Sequence, residues 1–330
     1  MNYSHRAFLY GPVLLLALAA IAVASYWWTA SGAIARRLDA MNGHEIAPGI
    51  HLSFARKSMG GFPFRVDGEL DGLRIAIDTS HGPALWTAEK FAFHSLTYGR
   101  TQFVFEAAGA QHVEWHKDNG TLHTYDFVPG SLRASAIVVA HHLARFDLEA
   151  LNIASADVSA AQVQLHLRDD PKIDGLDLFI TADHVHFAAD VEPAFGPDMK
   201  QFTVSAMVSP GSSFTRLLSG DGDWRAAAND WHTRHGGVLI KMLSVNWGPI
   251  DAAGAGALAV DDLHRPLGAL HFSLDDFNNL TTVTSAKGGL AKALALNSGS
   301  SAPPSKAMLT FKDGVAYVGT VPADLLSPLY

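Results

Sequence analysis

The sequence contains no cysteine among its 330 residues, which excludes disulfides, thiolate metal sites and a cysteine nucleophile. Charged residues are also scarce, because they make up 17% of the chain against roughly 25% in an average soluble protein. The formal net charge is -8 and no long run of Lys or Arg occurs. A general nucleic-acid binder needs a clustered basic face, so we expect no nucleic-acid partner.

Familiar catalytic motifs are missing as well. The chain has no G-x-S-x-G elbow, no G-x-x-x-x-G-K-[ST] loop and no H-E-x-x-H pair, which are the signatures of several hydrolase and nucleotide-binding sites. Paired carboxylates such as Asp261-Asp262 fall where turns or helix starts are expected, and acidic side chains there satisfy free N–H groups. We therefore predict no catalytic residue and no cofactor, and a hydrolase site assembled by the fold is the least favoured alternative.

Histidine, by contrast, is plentiful, with 17 residues in the chain. His184 and His186 are two residues apart, which places both imidazoles on one face of a strand at a spacing that can chelate zinc. A closed metal site needs three or four convergent ligands, and the sequence offers no identifiable third. His184 and His186 are therefore weak metal candidates only, and we predict no bound metal.

The N-terminal segment is the longest apolar run. From Phe8 to Trp28 it carries no charge, and its length is close to the roughly 20 residues that span a bilayer core. Arg6 before the segment favours a cytoplasmic N-terminus. We predict residues 1–35 to be a single-pass inner-membrane anchor and residues 36–330 a periplasmic domain. Cleavage after Ala24, within an A-x-A pattern, remains the alternative and would release a secreted chain.

Beyond the anchor, apolar and polar residues alternate with period two, as on strands with one buried face. Phe62 to Leu70 and Leu73 to Ile77 predict two strands, joined by a turn at Asp71-Gly72. Pro129-Gly130 predicts a further turn between the strands 122–127 and 132–139. This succession predicts a mainly β (α+β) fold: an N-terminal transmembrane or signal helix, then a curved, largely antiparallel sheet with a few covering helices.

The second half of the chain shows a different pattern. Asp223 to His235 predicts a helix with Asp223 as its N-cap, and residues 277–296 are predicted to be helical in part. Lys312-Asp313-Gly314 predicts a hairpin turn between two short strands. The change in pattern leaves open a division into two lobes with a boundary near residues 193–212.

One motif carries a resemblance to a known family. The stretch Gly60-Gly61-Phe62-Pro63-Phe64-Arg65 follows the membrane segment and precedes paired amphipathic strands, and the chain closes with the strand–turn–strand unit around Lys312-Asp313-Gly314. In these features the chain resembles the alphaproteobacterial envelope proteins of domain-of-unknown-function family 2125. It is similar, more distantly, to the AsmA-like superfamily, whose anchored sheets form hydrophobic grooves implicated in phospholipid movement.

The resemblance implies a membrane-anchored, non-enzymatic protein with a lipid or an envelope protein as its partner, and it supplies no catalytic or cofactor residue. Two functional hypotheses follow from the sequence: lipid handling in an apolar groove of the sheet, and scaffolding of an envelope assembly through sheet edges or a helix. We predict Phe62, Phe64 and Val66 to share one strand face and to be core residues rather than ligand contacts.

Overall fold

The N-terminal segment forms one long helix. The computed structural model describes residues 4–79, 82–98, 101–116, 120–188, 195–220, 222–248, 250–274 and 306–330. Helix α1 (Ser4–Met41) extends past the apolar run. Its Pro12–Met41 portion has a window of mean hydropathy 1.9, of which none is buried. By length and composition it fits a single-pass membrane anchor or a signal sequence.

Most of the remaining described chain is strand, which confirms the predicted fold class. The described residues contain seventeen strands in one sheet. They are β1 (His44–Ala47), β2 (Ile50–Ser53), β3 (Arg56–Gly60), β4 (Arg65–Thr79), β5 (Gly82–Leu96), β6 (Gln102–His116), β7 (Leu122–Val139), β8 (His142–Ser155), β9 (Val158–Asp170), β10 (Gly175–Phe187), β11 (Asp198–Ser209), β12 (Gly237–Trp247), β13 (Ile250–Val260), β14 (Pro266–Leu274), β15 (Lys306–Lys312), β16 (Val315–Val318) and β17 (Val321–Leu325).

Successive strands pair with one another in chain order. From β4 to β17 each strand forms an antiparallel ladder with the strand before it. The short strands β2 and β3 both pair with β4, and β1 pairs with β2. Strand β11 lies in the proposed boundary region and pairs with β10 and β12. The division into two lobes stays a prediction.

Two predicted turns lie inside strands instead. Asp71 pairs with Lys90 and Leu73 with Ala88, so β4 runs straight through the Asp71-Gly72 site while Gly72 takes a positive φ of 62°. Pro129-Gly130 lies within β7 in the same way, and the ladder with β8 continues on both sides. Local turn chemistry was outweighed because pairing with a long neighbour satisfies the backbone of the whole segment.

Helices are few among the described residues. A 3₁₀ turn (Gly211–Phe214), α2 (Thr215–Leu218) and α3 (Trp224–Thr233) connect β11 to β12. The side chain of Asp223 accepts from the N–H groups of Arg225 and Ala226, which confirms the predicted N-cap. The hairpin at Lys312-Asp313-Gly314 is also confirmed, between β15 and β16. The predicted helical stretch 277–296 lies outside the described residues.

Candidate functional site

One face of the sheet carries an unbroken row of apolar residues from β4 to β15. Residues directly opposite each other in an antiparallel ladder point to the same face, so the registers identify the row residue by residue. We call this row the apolar track. Its members, in strand order, are Gly68, Phe93, Phe105, Ala134, Leu148, Leu165, Ile180, Val204, Leu243, Gly254, Phe272 and Ala307.

The rows on either side of the apolar track are also mainly apolar, and the row on the Val66 side includes Ser95. One neighbouring row continues from Leu70 and Phe91 through Ala107 and Leu132 to Ala252. Most large side chains of the apolar track are only half-buried. The face is therefore mainly apolar but incompletely covered by the described residues, as is common at sites that bind apolar ligands.

The opposite face is polar and internally paired. The Arg133 guanidinium lies 3.2 Å from a carboxylate oxygen of Glu106. Burial acts to raise the pKa of Asp147, but hydrogen bonds from His166 and Arg145 outweigh that effect and hold this pKa below its ordinary value. The described charged side chains of these strands therefore lie mostly on this opposite face, although Asp169, which pairs with Leu176 in the ladder between β9 and β10, lies on the same face as the apolar track.

A cavity of about 490 Å³ lies over the distal end of the apolar track, within the roughly 300–1,000 Å³ range of small-molecule sites. Strand β13 contributes the small residues Ala252, Gly254 and Gly256 to this face, where neighbouring strands carry leucine and phenylalanine. Every lining residue that the structure describes is apolar. They are Phe187, Phe195, Met199, Phe202, Leu243, Val245, Trp247, Ile250, Ala252, Leu270, Phe272, Ala307, Met308, Leu309 and Val318.

A second cavity of about 530 Å³ lies at the proximal end, between α1 and strands β4 to β6. Helix residues Ala30, Ile34 and Leu38 form one wall, while Phe93 and Phe105 of the apolar track form the other. The cavity is mainly apolar, with Arg37, Ser95 and Thr97 as its polar members. The apolar track therefore runs from a cavity beside the N-terminal helix to a cavity at the far strands.

Polar contacts hold α1 against the sheet. The Tyr26 hydroxyl donates to the Thr97 carbonyl at 2.8 Å. The Lys57 ammonium donates to the Ala35 carbonyl at 2.6 Å and pairs with the Asp39 carboxylate. Donation to a carbonyl near a helix C-terminus and pairing with a nearby acid both favour the cation there. These contacts fix the proximal cavity beside the end of the apolar helix.

The Gly60 to Arg65 motif shapes the turn between β3 and β4. Gly61 has a φ of +91°, and a Cβ there would meet the Arg65 carbonyl oxygen at 2.8 Å, whereas a Cβ on Gly60 would meet nothing within 4 Å. Val66 is buried as predicted, but the prediction for Phe62 and Phe64 is wrong: they lie in the turn and are 57% and 63% exposed. The strand begins at Arg65, so its alternation does not reach them.

This difference between the two glycines gives a matched pair of variants. Gly61→Ala should lower the free energy of unfolding by about 2 kcal/mol, because an L side chain at positive φ is strained and its Cβ collides with backbone. Gly60→Ala should change it by less than about 0.5 kcal/mol. Denaturant titration of both full-length variants in micelles of the same detergent measures the two free energies of unfolding. Equal effects of the two substitutions would contradict the prediction.

The histidine candidates do not form a metal site within the described chain. His184 has a φ of +51° and is skipped in the ladders on both sides, which pass from Asp183 to Val185. His186 instead pairs with Asp198 at 2.7 Å. Among the residues that the structure describes, no group of three or more His, Asp or Glu side chains could hold a metal ion.

A third histidine, His112, forms hydrogen bonds with two carboxylates. The side chain of Glu114, and then that of Asp126, accepts a hydrogen bond from the His112 ring, and together they raise the pKa of this imidazole. Both ring nitrogens are already engaged, at 2.8 Å and 2.6 Å. His112 therefore has no free nitrogen for acid–base chemistry in this arrangement.

Sequence reasoning found neither cavity. The period-two pattern identifies which residues share a face within one strand, but the apolar track needs the registers of eleven ladders. One local signal was present: the run Ala252-Ala253-Gly254-Ala255-Gly256 places only small residues on both faces of a strand, which leaves space wherever large neighbours flank it.

Comparison with known proteins matches most of the chain to a protein family. Residues 27–325 match the family described as "Uncharacterized protein conserved in bacteria (DUF2125)". No curated protein matches the chain, and neither does any solved structure. The matched region begins at Trp27 of α1 and includes every described strand.

Proposed function

We propose that this chain, which belongs to the DUF2125 family, is a non-enzymatic, membrane-anchored protein that handles lipid along the apolar face of its sheet. In this proposal α1 crosses the inner membrane and the sheet lies in the periplasm. The ligand is a phospholipid or fatty acid whose acyl chain occupies the apolar track. Shape and apolarity, rather than reactive groups, set the function.

The observation that carries the proposal is the continuity of the apolar track between two cavities. An acyl chain has no polar group to satisfy, so transfer from water to an apolar face is favourable at roughly 25 cal/mol per Å² of buried surface. A row without polar interruption offers similar stabilisation at each strand. Such a surface supports movement along the face as well as binding.

The proximal cavity supports entry from the bilayer. Its wall is the part of α1 that directly follows the apolar run, so a lipid leaving the outer leaflet meets it first. Arg37 lines this cavity, where a guanidinium can pair with a phosphate headgroup. No charged residue lines the distal cavity within the described part of the chain, and this cavity suits the acyl portion alone.

Lipid retention by the purified full-length chain tests the proposal. Native mass spectrometry after removal of the micelle, with quantification of extracted lipid, should find about one phospholipid or fatty acid per chain. Ala252→Phe should reduce that retention severalfold, because Ala252 lines the distal cavity and a phenyl ring would fill space that the acyl chain needs. The amount of lipid bound around α1 alone should not be changed by this substitution.

Ala257→Phe is the matched control, since Ala257 lies on the same strand but is exposed on the opposite face. It should retain lipid like the parent chain. A parent chain that stays free of lipid when lipid is offered, or equal retention in both variants, would reject lipid handling. Scaffolding of an envelope assembly would then be the remaining hypothesis.

A further inference from the structure

Among the described residues of the sheet domain, the turn before β4 and the bend after β5 carry the most exposed aromatic side chains. Both segments contact α1 at the end of its apolar run. Phe62 and Phe64 belong to the turn, and Tyr98, 75% exposed, belongs to the bend. We propose that these three residues, the aromatic rim, insert into the interfacial layer of the phospholipid bilayer that α1 crosses. The inference deepens the proposed function and rests on its anchor.

The contacts between helix and sheet place the aromatic rim at the level of Trp27. The Trp27 and Phe62 rings meet edge to face with centroids 5.5 Å apart. The Trp27 indole donates to the Arg65 carbonyl, and Tyr26 donates to the Thr97 carbonyl. Both loops therefore lie beside the same turn of α1.

That turn lies at the end of the apolar run. From Phe8 to Trp28 a helix rises about 30 Å at 1.5 Å per residue, which equals the thickness of a bilayer hydrocarbon core. When this run spans the core, Trp27 and everything beside it lie at headgroup depth. Aromatic rings with an apolar body favour that layer.

The aromatic rim is held as one unit. Both the amide N–H and the hydroxyl of Thr97 donate to the Phe64 carbonyl at 3.0 Å, and the Arg65 amide donates to the Gly61 carbonyl at 2.9 Å. Two loops from different strands are thereby fixed side by side. Little conformational freedom is lost when such a preformed surface inserts.

The charges around the aromatic rim are compatible with this depth. Arg65 is exposed and reaches the Asp67 carboxylate at 2.8 Å, and Asp67 also contacts His94. A guanidinium at the headgroup layer keeps its charge in the wet region while its stem lies along apolar surface. The insertion would orient the proximal cavity, which lies between α1 and strands β4 to β6, toward the membrane surface.

Depth measurement by spin labelling tests the proposal directly, because the chain has no cysteine and each introduced cysteine is the only one. Phe62→Cys and Tyr98→Cys are labelled in the full-length protein, reconstituted in phosphatidylcholine–phosphatidylglycerol bilayers. Their accessibility to oxygen and to a water-soluble nickel complex gives their depth. The expected depth of both labels is about 5–10 Å into the headgroup and acyl boundary.

Two further positions make the result interpretable. Leu18→Cys in α1 should report the bilayer interior, and Leu122→Cys should report water. Leu122 is exposed. It lies at the end of the strands opposite to the aromatic rim, since it pairs with His116, which contacts Pro83 at the start of β5. That is about 40 Å from Ser95 at 3.3 Å per residue. Labels at 62 and 98 that report water while Leu18→Cys reports the interior would overturn the aromatic rim and leave the anchor intact.

A water reading at Leu18→Cys would overturn the anchor together with the aromatic rim. Failure of lipid handling is distinguishable from either result, since it is read from retained lipid rather than from depth. Insertion of the aromatic rim with an empty apolar track would show a membrane-docked sheet that handles no lipid.

Discussion

Leu73→Ala is expected to lower the free energy of unfolding by about 3 kcal/mol, as Leu→Ala changes in well-packed cores do. Leu73 is 1% exposed and lies in a cluster with Leu52, Phe54 and Leu70, against which Leu38 of α1 also packs. The truncation removes apolar contacts and leaves a cavity where sheet and helix meet. Denaturant titration of the full-length variant in micelles measures the effect.

Leu239→Ala is the matched control for this variant. Leu239 is also a strand leucine but is 45% exposed, so its truncation creates no enclosed cavity and should change stability by less than about 1 kcal/mol. Equal effects of the two variants would show that the cluster around Leu73 is not the tightly packed core of the sheet.

Gln111→Leu is expected to lower the free energy of unfolding by a similar amount, about 3 kcal/mol. The reason here is the loss of buried hydrogen bonds and not the loss of apolar packing. Gln111 is also 1% exposed, and its amide accepts from the Trp86 indole at 3.1 Å and donates to the Ala108 and Gly109 carbonyls. Leucine fits the apolar surroundings but leaves these buried polar groups without their partner, which costs roughly 1–3 kcal/mol for each such group.

A double-mutant cycle separates this mechanism from simple loss of packing. Trp86→Phe removes the indole donor, so Gln111→Leu in that background should cost less by about 1 kcal/mol. Gln201→Leu, on an exposed glutamine, should change stability by less than about 0.5 kcal/mol. Additive effects of Trp86→Phe and Gln111→Leu would mean that the hydrogen bond between them contributes little.

Gln111 also shows how the sheet accommodates irregularity. The ladder between β6 and β7 shifts between Ala107 and Gln111, and Gly109 takes a φ of +76°. The Gln111 amide donates to the Ala108 and Gly109 carbonyls, which lie within this bulge. One buried polar side chain thus supplies hydrogen bonds to backbone groups at an irregular point of the ladder.

The sequence predicted elements whose signals are local. Helix α1, the Asp223 N-cap of α3 and the hairpin at Lys312-Asp313-Gly314 were each predicted correctly, because apolar length, capping and turn chemistry act over a few residues. Period-two alternation likewise gave the β-rich class. These signals need no knowledge of what lies opposite in space.

Strand length and side-chain exposure were harder to predict from the sequence. Asp71-Gly72 and Pro129-Gly130 have turn chemistry, yet both lie within long strands, because a neighbouring strand pairs with the backbone on each side of them. Phe62 and Phe64 follow an apolar alternation but precede the strand, and their exposure depends on where α1 lies. Neither outcome is encoded within a short window of sequence.

The sequence by itself therefore determined the membrane-length helix, the antiparallel β-rich class and the amphipathic character of each strand. Only the tertiary structure decided the apolar track, the two cavities and the position of the aromatic rim beside Trp27. The physical reason is that alternation specifies which residues of one strand share a face, whereas strand registers and helix docking specify which strands bring those faces together.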